Sequence, residues 1–358
     1  MTALLDRQAD IGAAAARTVD FLLARQDPGG SWRDFLLPAG LSDSWVTAYT
    51  AEALLGDGED TAPRAAAERA WRFLREHSLP EGGWSYNPGV PGDADSSLWA
   101  LRLADGLAQA ESPTARRGFA FLARHVRPDG GLATYADPAA IRGYVGLPAF
   151  ISFDGWTQSH ACVSAAGAHL APHADTLAPY LLDRQADDGS WPAYFWFDRE
   201  YATSEAVRAL AKLDATAHRP AIERATGWLI RRTSLLAAAQ GAIRPAFALA
   251  CATHALAEAS DQADARRAAR AGAAALAVWQ RDTGGWGPTA RLRVPPPHAI
   301  DPPEDVRWTR WQGMPADAPA SLEGLAATFT NFSPDHRGIF GAATALRALR
   351  AVTKGAAA

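Results

Sequence analysis

One pattern recurs six times along this chain, and it limits the fold more than any other feature. An aromatic residue and a leucine are followed after three residues by glutamine, then after three more by Gly-x-Trp. The first copy is Phe21-Leu22, Gln26, Gly30-Ser31-Trp32; the fourth is Tyr180-Leu181, Gln185, Gly189-Ser190-Trp191 with identical spacing. The sixth is Ala275-Leu276, Gln280, Gly284-Gly285-Trp286. Weaker copies keep the frame at Phe73-Leu74, Gly82-Gly83-Trp84 and at Phe121-Leu122, Gly130-Gly131-Leu132, and Trp228-Leu229 keeps only the first half. A period of roughly 50 residues is the mark of a repeat architecture in which no unit buries its apolar face alone.

Each unit reads as helix, glycine-rich turn, loop, helix. The first helix is amphipathic: Val19, Phe21, Leu22 and Leu23 form an apolar stripe, and Arg17, Asp20 and Arg25 a wet side. Glycine then ends it. The second helix opens on a capping residue and is apolar nearly all round, as in Asp43-Ser44-Trp45-Val46 and Asp95-Ser96-Ser97-Leu98. Buried helices within a ring of amphipathic ones predict an all-α fold, a single α6/α6 barrel over residues 1–358. Its repeats fall near 17–56, 64–107, 113–170, 173–213, 218–259 and 262–352. The glutamines and tryptophans are read as staples between neighbouring repeats.

The loops leading into the second helices are long where the reverse connections are short. The segments 127–154 and 282–335 carry Tyr135, Tyr144, Phe150, Phe153, Trp308, Trp311 and Phe329, which marks one end of the barrel as the functional face. The chain has 358 residues, 48% hydrophobic and 21% charged, with a formal net charge of −4. That balance supports a large core and argues against a nucleic-acid partner. Two cysteines, Cys162 and Cys251, suggest a reducing compartment, so a cytoplasmic location is expected. No run is long and apolar enough for a membrane span, and peripheral membrane contact stays compatible with the sequence. Oligomeric state is left open.

The Gln-x3-Gly-x-Trp spacing resembles the repeat of squalene–hopene cyclases, class II diterpene cyclases and protein-prenyltransferase β subunits, over nearly the whole chain. Class II cyclases protonate an alkene or epoxide with the middle acid of an Asp-x-Asp-Asp motif. The matching stretch here is Asp93-Ala94-Asp95-Ser96, so the resemblance implies Asp95 as proton donor, Asp93 as its partner, and Ser96 in place of the last acid. The implied substrate is a small hydrophobic isoprenoid, with no cofactor, or Mg²⁺ if the substrate is a diphosphate. Class II cyclases usually have two such domains, and this chain has room for one. Aromatic faces must then shield a carbocation; candidates at inner positions are Trp45, Tyr49, Trp99, Trp156, Trp196, Phe197, Tyr201, Phe247 and Phe340. An alternative reading makes Asp93 and Asp95 simple helix caps or polar lining.

Two other chemistries compete. In a prenyltransferase-like enzyme, His160 in Asp154-Gly155-Trp156-Thr157-Gln158-Ser159-His160 would ligate zinc, with Cys251 and His254 nearby in the sequence pattern. The Asp-x-Cys of that family is absent, however, and no metal site is assigned. A diphosphate would be held by basic loop residues, with Arg307, Arg310, His336 and Arg337 favoured over Arg142 and Arg199. A non-catalytic or carbohydrate-directed barrel would use paired carboxylates among Asp93, Asp95, Asp154, Asp198 and Glu205, taken to lie near one mouth.

Overall fold

A computed structural model describes residues 2–56, 61–241, 243–259, 261–302 and 333–357. Six helices form an inner ring: α2 (Ser44–Leu54), α4 (Ala94–Gly106), α8 (Ala161–Gly167), α10 (Arg199–Asp214), α12 (Ala246–Glu258) and α14 (Ile339–Ala357). Each packs on the next, and α14 returns to α2, so the ring is closed. Outside it lie α1 (Thr2–Leu23), α3 (Thr61–Glu76), α5 (Pro113–Ala123), α9 (Ala171–Asp183), α11 (Arg219–Ala237) and α13 (Ala263–Trp279). Each outer helix leans on the inner helix that precedes it, with α1 on α14. The fold is an all-α barrel, as the repeat predicts.

The sequence explains the two layers. In α2, ten of eleven residues are buried, leaving Glu52 half-buried, and α12 is buried from Ala246 to Leu256. In α3, the buried residues Ala66, Ala67, Ala70, Trp71, Phe73 and Leu74 fall on one stripe.

The repeat motif is the joint between units. Gln26 Nε2 donates to Gly30 O in its own turn at 2.9 Å and to Ala66 O of the next outer helix at 2.8 Å. Gln185 repeats this with Gly189 O and Ala221 O. Gln280 closes the ring onto the first helix, donating to Ala14 O and Thr18 Oγ1, both at 2.9 Å. Gly284 belongs to that closure. Its φ is +86°, and a Cβ there would stand 2.3 Å from Arg17 O, so only glycine lets the turn approach. The tryptophans do not stack beneath the glutamines. Trp32, Trp84, Trp191 and Trp286 each donate their indole N–H to the leucine carbonyl ten residues earlier, pinning turn to helix.

Three features depart from a helix-only expectation. The loops at the inner-helix N-termini carry small antiparallel hairpins, β1 (Asp34–Leu37) with β2 (Gly40–Ser42), β3 (Trp84–Ser85) with β4 (Gly92–Asp93), and β5 (Arg291–Leu292) with β6 (Ser333–Pro334). The segment 127–154 is partly helical, with α6 (Ala139–Val145) and the single turn α7 (Asp154–Thr157). Helix α10 starts at Arg199, directly after the irregular segment that carries Trp196 and Asp198.

Candidate active site

The inner helices run in one direction, and each turns a stripe of residues at i, i+4 and i+7 to the barrel axis. From α2 to α14 the stripes are Trp45, Tyr49, Glu52; Asp95, Trp99, Arg102; Cys162, Ala166, His169; Tyr201, Glu205, Arg208; Phe247, Cys251, His254; and Phe340, Thr344, Arg347. The third layer is ionisable throughout. Arg102 pairs with Glu52 at 3.0 Å and with Glu205 at 2.7 Å. Arg208 joins Glu205 to Glu258, His169 meets Glu205, His254 meets Glu258, and Arg347 bonds Glu52. Burial opposes the charge on Glu52, but Arg347 and Arg102 outweigh it and hold its pKa at about 2. The far end of the barrel is thus a floor of paired charges.

Above that floor the axis is filled by rings. Tyr49 stacks on Phe340 with centroids 3.8 Å apart and meets Trp99 edge-on at 4.5 Å; Trp196 stacks on Phe247 and Phe340 and leans on Tyr201 at 4.8 Å. Most of the aromatic residues expected to bind substrate therefore form a packed plug. Tyr49, Trp99, Trp196, Tyr201, Phe247 and Phe340 are buried and do not line the cavity that holds Asp95. Phe197 lies outside as well, under Arg291 and Arg293.

The cavity sits over this plug, among the loops, with a volume of about 390 Å³. Trp45, Tyr86, Tyr135, Tyr144, Trp156 and Phe195 supply aromatic walls, Leu37, Val90, Ile141, Val145, Leu292 and Val294 aliphatic ones, and Asp93, Asp95, Ser96 and Thr134 the polar atoms. Of the predicted aromatics, Trp45 and Trp156 reach it. Tyr86 and Phe195 were not predicted, because they stand in irregular segments with no periodicity. Among the described residues no basic side chain lines the cavity. Arg142 is committed to the carbonyls of Pro148 and Ile151. Arg337 is exposed, with only its backbone N–H on Asp34, and His336 is half exposed, 3.5 Å from Asp34. Arg307 and Arg310 lie outside the described residues.

The acids divide by environment. Asp93 is the N-cap of α4: its Oδ1 accepts from Ser96 N at 2.7 Å and its Oδ2 from Ser96 Oγ at 2.8 Å. Burial raises its pKa, the Ser96 bonds pull it back, and it settles at about 6. Ser96, which stands where the motif has its last acid, therefore serves Asp93. Asp95 has no such bonds. Its Oδ1 is fully buried without a hydrogen-bond partner, while the residue opens onto the cavity. Burial, then the charge of Asp93, then that of Glu205 raise its pKa to about 8, opposed by the Trp99 indole N–H, which lies close to the carboxyl without meeting hydrogen-bond geometry. The capping reading holds for Asp93 and fails for Asp95. At neutral pH Asp95 is a carboxylic acid facing an apolar, aromatic cavity, which is what protonation of an alkene requires.

The remaining candidates go elsewhere. His160 is buried; its Nε2 donates to Gly155 O at 2.8 Å, so Nδ1 accepts from Thr134 Oγ1 at 2.9 Å. Burial lowers its pKa to about 4. Both nitrogens are engaged in holding a cavity wall, which leaves none for zinc. Cys162 and Cys251 are buried thiols. Asp154 is exposed, Asp198 pairs with Arg291, and Glu205 lies in the charged floor. The supposed acid-lined mouth reduces to Asp93 and Asp95.

No family model and no curated protein matches the chain. Solved structures do. The chain is similar to the type II terpene cyclase MstE from Scytonema, 33% identical in the apo form over 98% of this chain and 99% of that one, with a TM-score of 0.85. A variant of MstE in complex with its substrate, geranylgeranyl dihydroxybenzoate, is 32% identical at a TM-score of 0.86, with the same coverage. This chain belongs to the type II terpene cyclases. A protein from Actinoplanes is 36% identical over 96% of this chain and 99% of that one, TM-score 0.83. An ent-copalyl diphosphate synthase from Streptomyces platensis, 17% identical at a TM-score of 0.53, shares the fold over 87% of this chain and 50% of its own. A type II terpene cyclase starts cyclisation by protonation.

Proposed function

We propose that the enzyme folds an isoprenoid chain into the loop-walled cavity and protonates its distal alkene with Asp95. The observation that carries the assignment is the state of that carboxyl: protonated, without a hydrogen-bond partner on Oδ1, and opening onto an apolar cavity. In the first step the Asp95 O–H bond breaks, a C–H bond forms from the alkene π pair, and Asp95 becomes a carboxylate. The tertiary cation left behind meets the ring faces of Trp45, Tyr135, Trp156 and Phe195. Asp93, fixed by Ser96, contributes its charge to the acid and does not react.

We infer a substrate of diterpene or sesquiterpene size joined to an aromatic acid. At roughly 30 Å³ per carbon-sized group, a cavity of this volume encloses on the order of a dozen carbons. That suits the reacting part of a farnesyl or geranylgeranyl chain and falls far short of squalene. The likeness to MstE bound to geranylgeranyl dihydroxybenzoate supports the aromatic head. The walls offer no cation for a diphosphate among the described residues. We propose that the site belongs to a single toroid, read as spanning 1–358. Among the described residues no helix is long and apolar enough to cross a membrane, and two free buried thiols are in keeping with a cytoplasmic setting.

The test is incubation with geranylgeranyl and farnesyl dihydroxybenzoate, and with the matching diphosphates with and without Mg²⁺, followed by mass spectrometry of cyclised products. Cyclisation of the dihydroxybenzoates by the native enzyme, lost in Asp95→Asn, is the expected result. Full activity in Asp95→Asn would overturn the acid assignment.

A further inference from the structure

The buried polar atoms on the barrel axis without a hydrogen-bond partner include Trp45 Nε1, Arg347 Nη1 and a group of three around the acid: Asp95 Oδ1, Trp99 Nε1 and the hydroxyl of Tyr201. Buried polar groups are normally satisfied, so three orphans in one region call for an explanation. Trp99 is one turn below Asp95 on the same stripe of α4. Tyr201 is on α10, one turn above Glu205, and Glu205 pairs with Arg102, the last member of the Asp95 stripe, at 2.7 Å. That bond ties α4 to α10 across the barrel, and Tyr201 opens the axial stripe of α10 as Asp95 opens that of α4.

Two of the orphans are donors and the third belongs to an acid. A neutral carboxyl needs little from a donor; a carboxylate needs a great deal. We propose that Tyr201 O–H and Trp99 Nε1–H are standby donors that engage Asp95 as it gives its proton to the substrate, stabilising the carboxylate as its charge appears. They are positioning residues that act through Asp95. Donors that are unpaired in the ground state and paired only as charge develops lower the barrier without tightening substrate binding. The guanidinium groups of Arg102 and Arg347 lie over the Trp99 ring at 4.0 and 5.1 Å and polarise its N–H further. Asp95 is the charged neighbour that most strongly opposes ionisation of Tyr201, after burial itself, which keeps that hydroxyl a donor. The groups bearing on Asp95 are thus Asp93 at its own helix start, Glu205 and Tyr201 from α10 and Cys162 from α8.

The inference rests on Asp95 as the acid, and the experiment separates the two. Tyr201→Phe keeps the ring face and removes only the donor. With geranylgeranyl dihydroxybenzoate as probe, we expect kcat to fall on the order of 100-fold with KM unchanged. The alkaline limit of activity should move to higher pH, because a carboxylate deprived of a donor is harder to form. Trp99→Phe should act in the same direction. Infrared titration of the Asp95 carboxyl band, taken as the difference from Asp95→Asn, gives a readout independent of turnover. The band should persist to higher pH in Tyr201→Phe. An unchanged kcat and an unmoved carboxyl titration in a folded Tyr201→Phe would overturn the proposal while leaving Asp95 in place. An active Asp95→Asn would instead remove the premise.

Discussion

The hydroxyl of Ser96 donates to Asp93 Oδ2 at 2.8 Å and leaves its other neighbour, Asp95, untouched. Two acids two residues apart are thereby given opposite conditions. Ser96 holds Asp93 with two bonds that favour its charged form and gives Asp95 none. The charge on the first then raises the pKa of the second.

Replacing Asp93 by asparagine tests that coupling. Asparagine still caps α4, so the helix start should survive at a cost of about 1 kcal/mol or less. The like charge beside Asp95 disappears, and its pKa falls. Because turnover needs protonated Asp95, the alkaline limb of kcat/KM, expected near pH 8 in the native enzyme, should move to lower pH. Activity at pH 8 should drop more than activity at pH 6. A rate–pH profile checks the direction.

Keeping Asp95 neutral has a stability consequence. Its pKa in the fold is about 8 against 3.8 for the free residue, so between those values the folded state binds more protons than the unfolded one. This contribution is fully present below about pH 4 and declines as pH rises to about 8, by at most ~1.4 kcal/mol per unit. Asp95→Asn removes it. The variant should match the native enzyme in stability near pH 5 more closely than at pH 8, where it should be the more stable by a few kcal/mol. Urea unfolding at the two pH values measures the difference.

The scaffold was legible in the sequence because the joints are local. Gln26, Gln185, Gln280 and their turns sit at fixed spacing, and each bond they make follows from that spacing. The pair Asp93 and Asp95 was legible as a motif, but their division of labour was not, since it depends on where the Ser96 hydroxyl turns. The aromatic residues were misread for a physical reason. Inner-helix periodicity shows that Tyr49, Tyr201 and Phe340 face the axis, but it does not show whether the axis is hollow, and here they fill it. The walls come from Tyr86, Thr134 and Phe195, in loops with no period. The charged floor did have a signal: Glu52, Arg102, His169, Arg208, His254 and Arg347 each fall seven residues after the first axial position of an otherwise apolar helix.

That floor should be costly to break. Arg102 is buried against Glu52, Glu205 and the Trp99 ring. Arg102→Ala leaves Glu205 buried with less compensation and removes the cation over the ring, so a loss of about 3–5 kcal/mol is expected. Arg102→Met keeps the packed stem and should recover part of it only if Glu205 takes up a proton. Its stability should therefore improve toward acid pH more steeply than that of the native enzyme. Chemical denaturation across pH resolves the two variants.

The last joint is the one that makes a ring of a row. Gln280 bonds Ala14 O, Thr18 Oγ1 and Gly284 O, and Arg17 Nε donates back to its Oε1 at 2.9 Å. All of these but the bond to Gly284 join residues more than 260 positions apart, where the long-range bond of Gln185 joins neighbouring repeats. Gln280→Ala and Gln185→Ala remove similar chemistry, about 1–3 kcal/mol of hydrogen bonding each. Their consequences should differ in place. In Gln280→Ala the first helix, which packs on α14 and α13, loses its tether, so amide exchange should accelerate along α1 and spare α10. In Gln185→Ala the flanking rings of the toroid still hold both partners, and exchange should rise only around 185–191 and the start of α11. Hydrogen exchange read by mass spectrometry distinguishes a seam from an ordinary joint; equal, local effects in both variants would show that ring closure does not depend on Gln280.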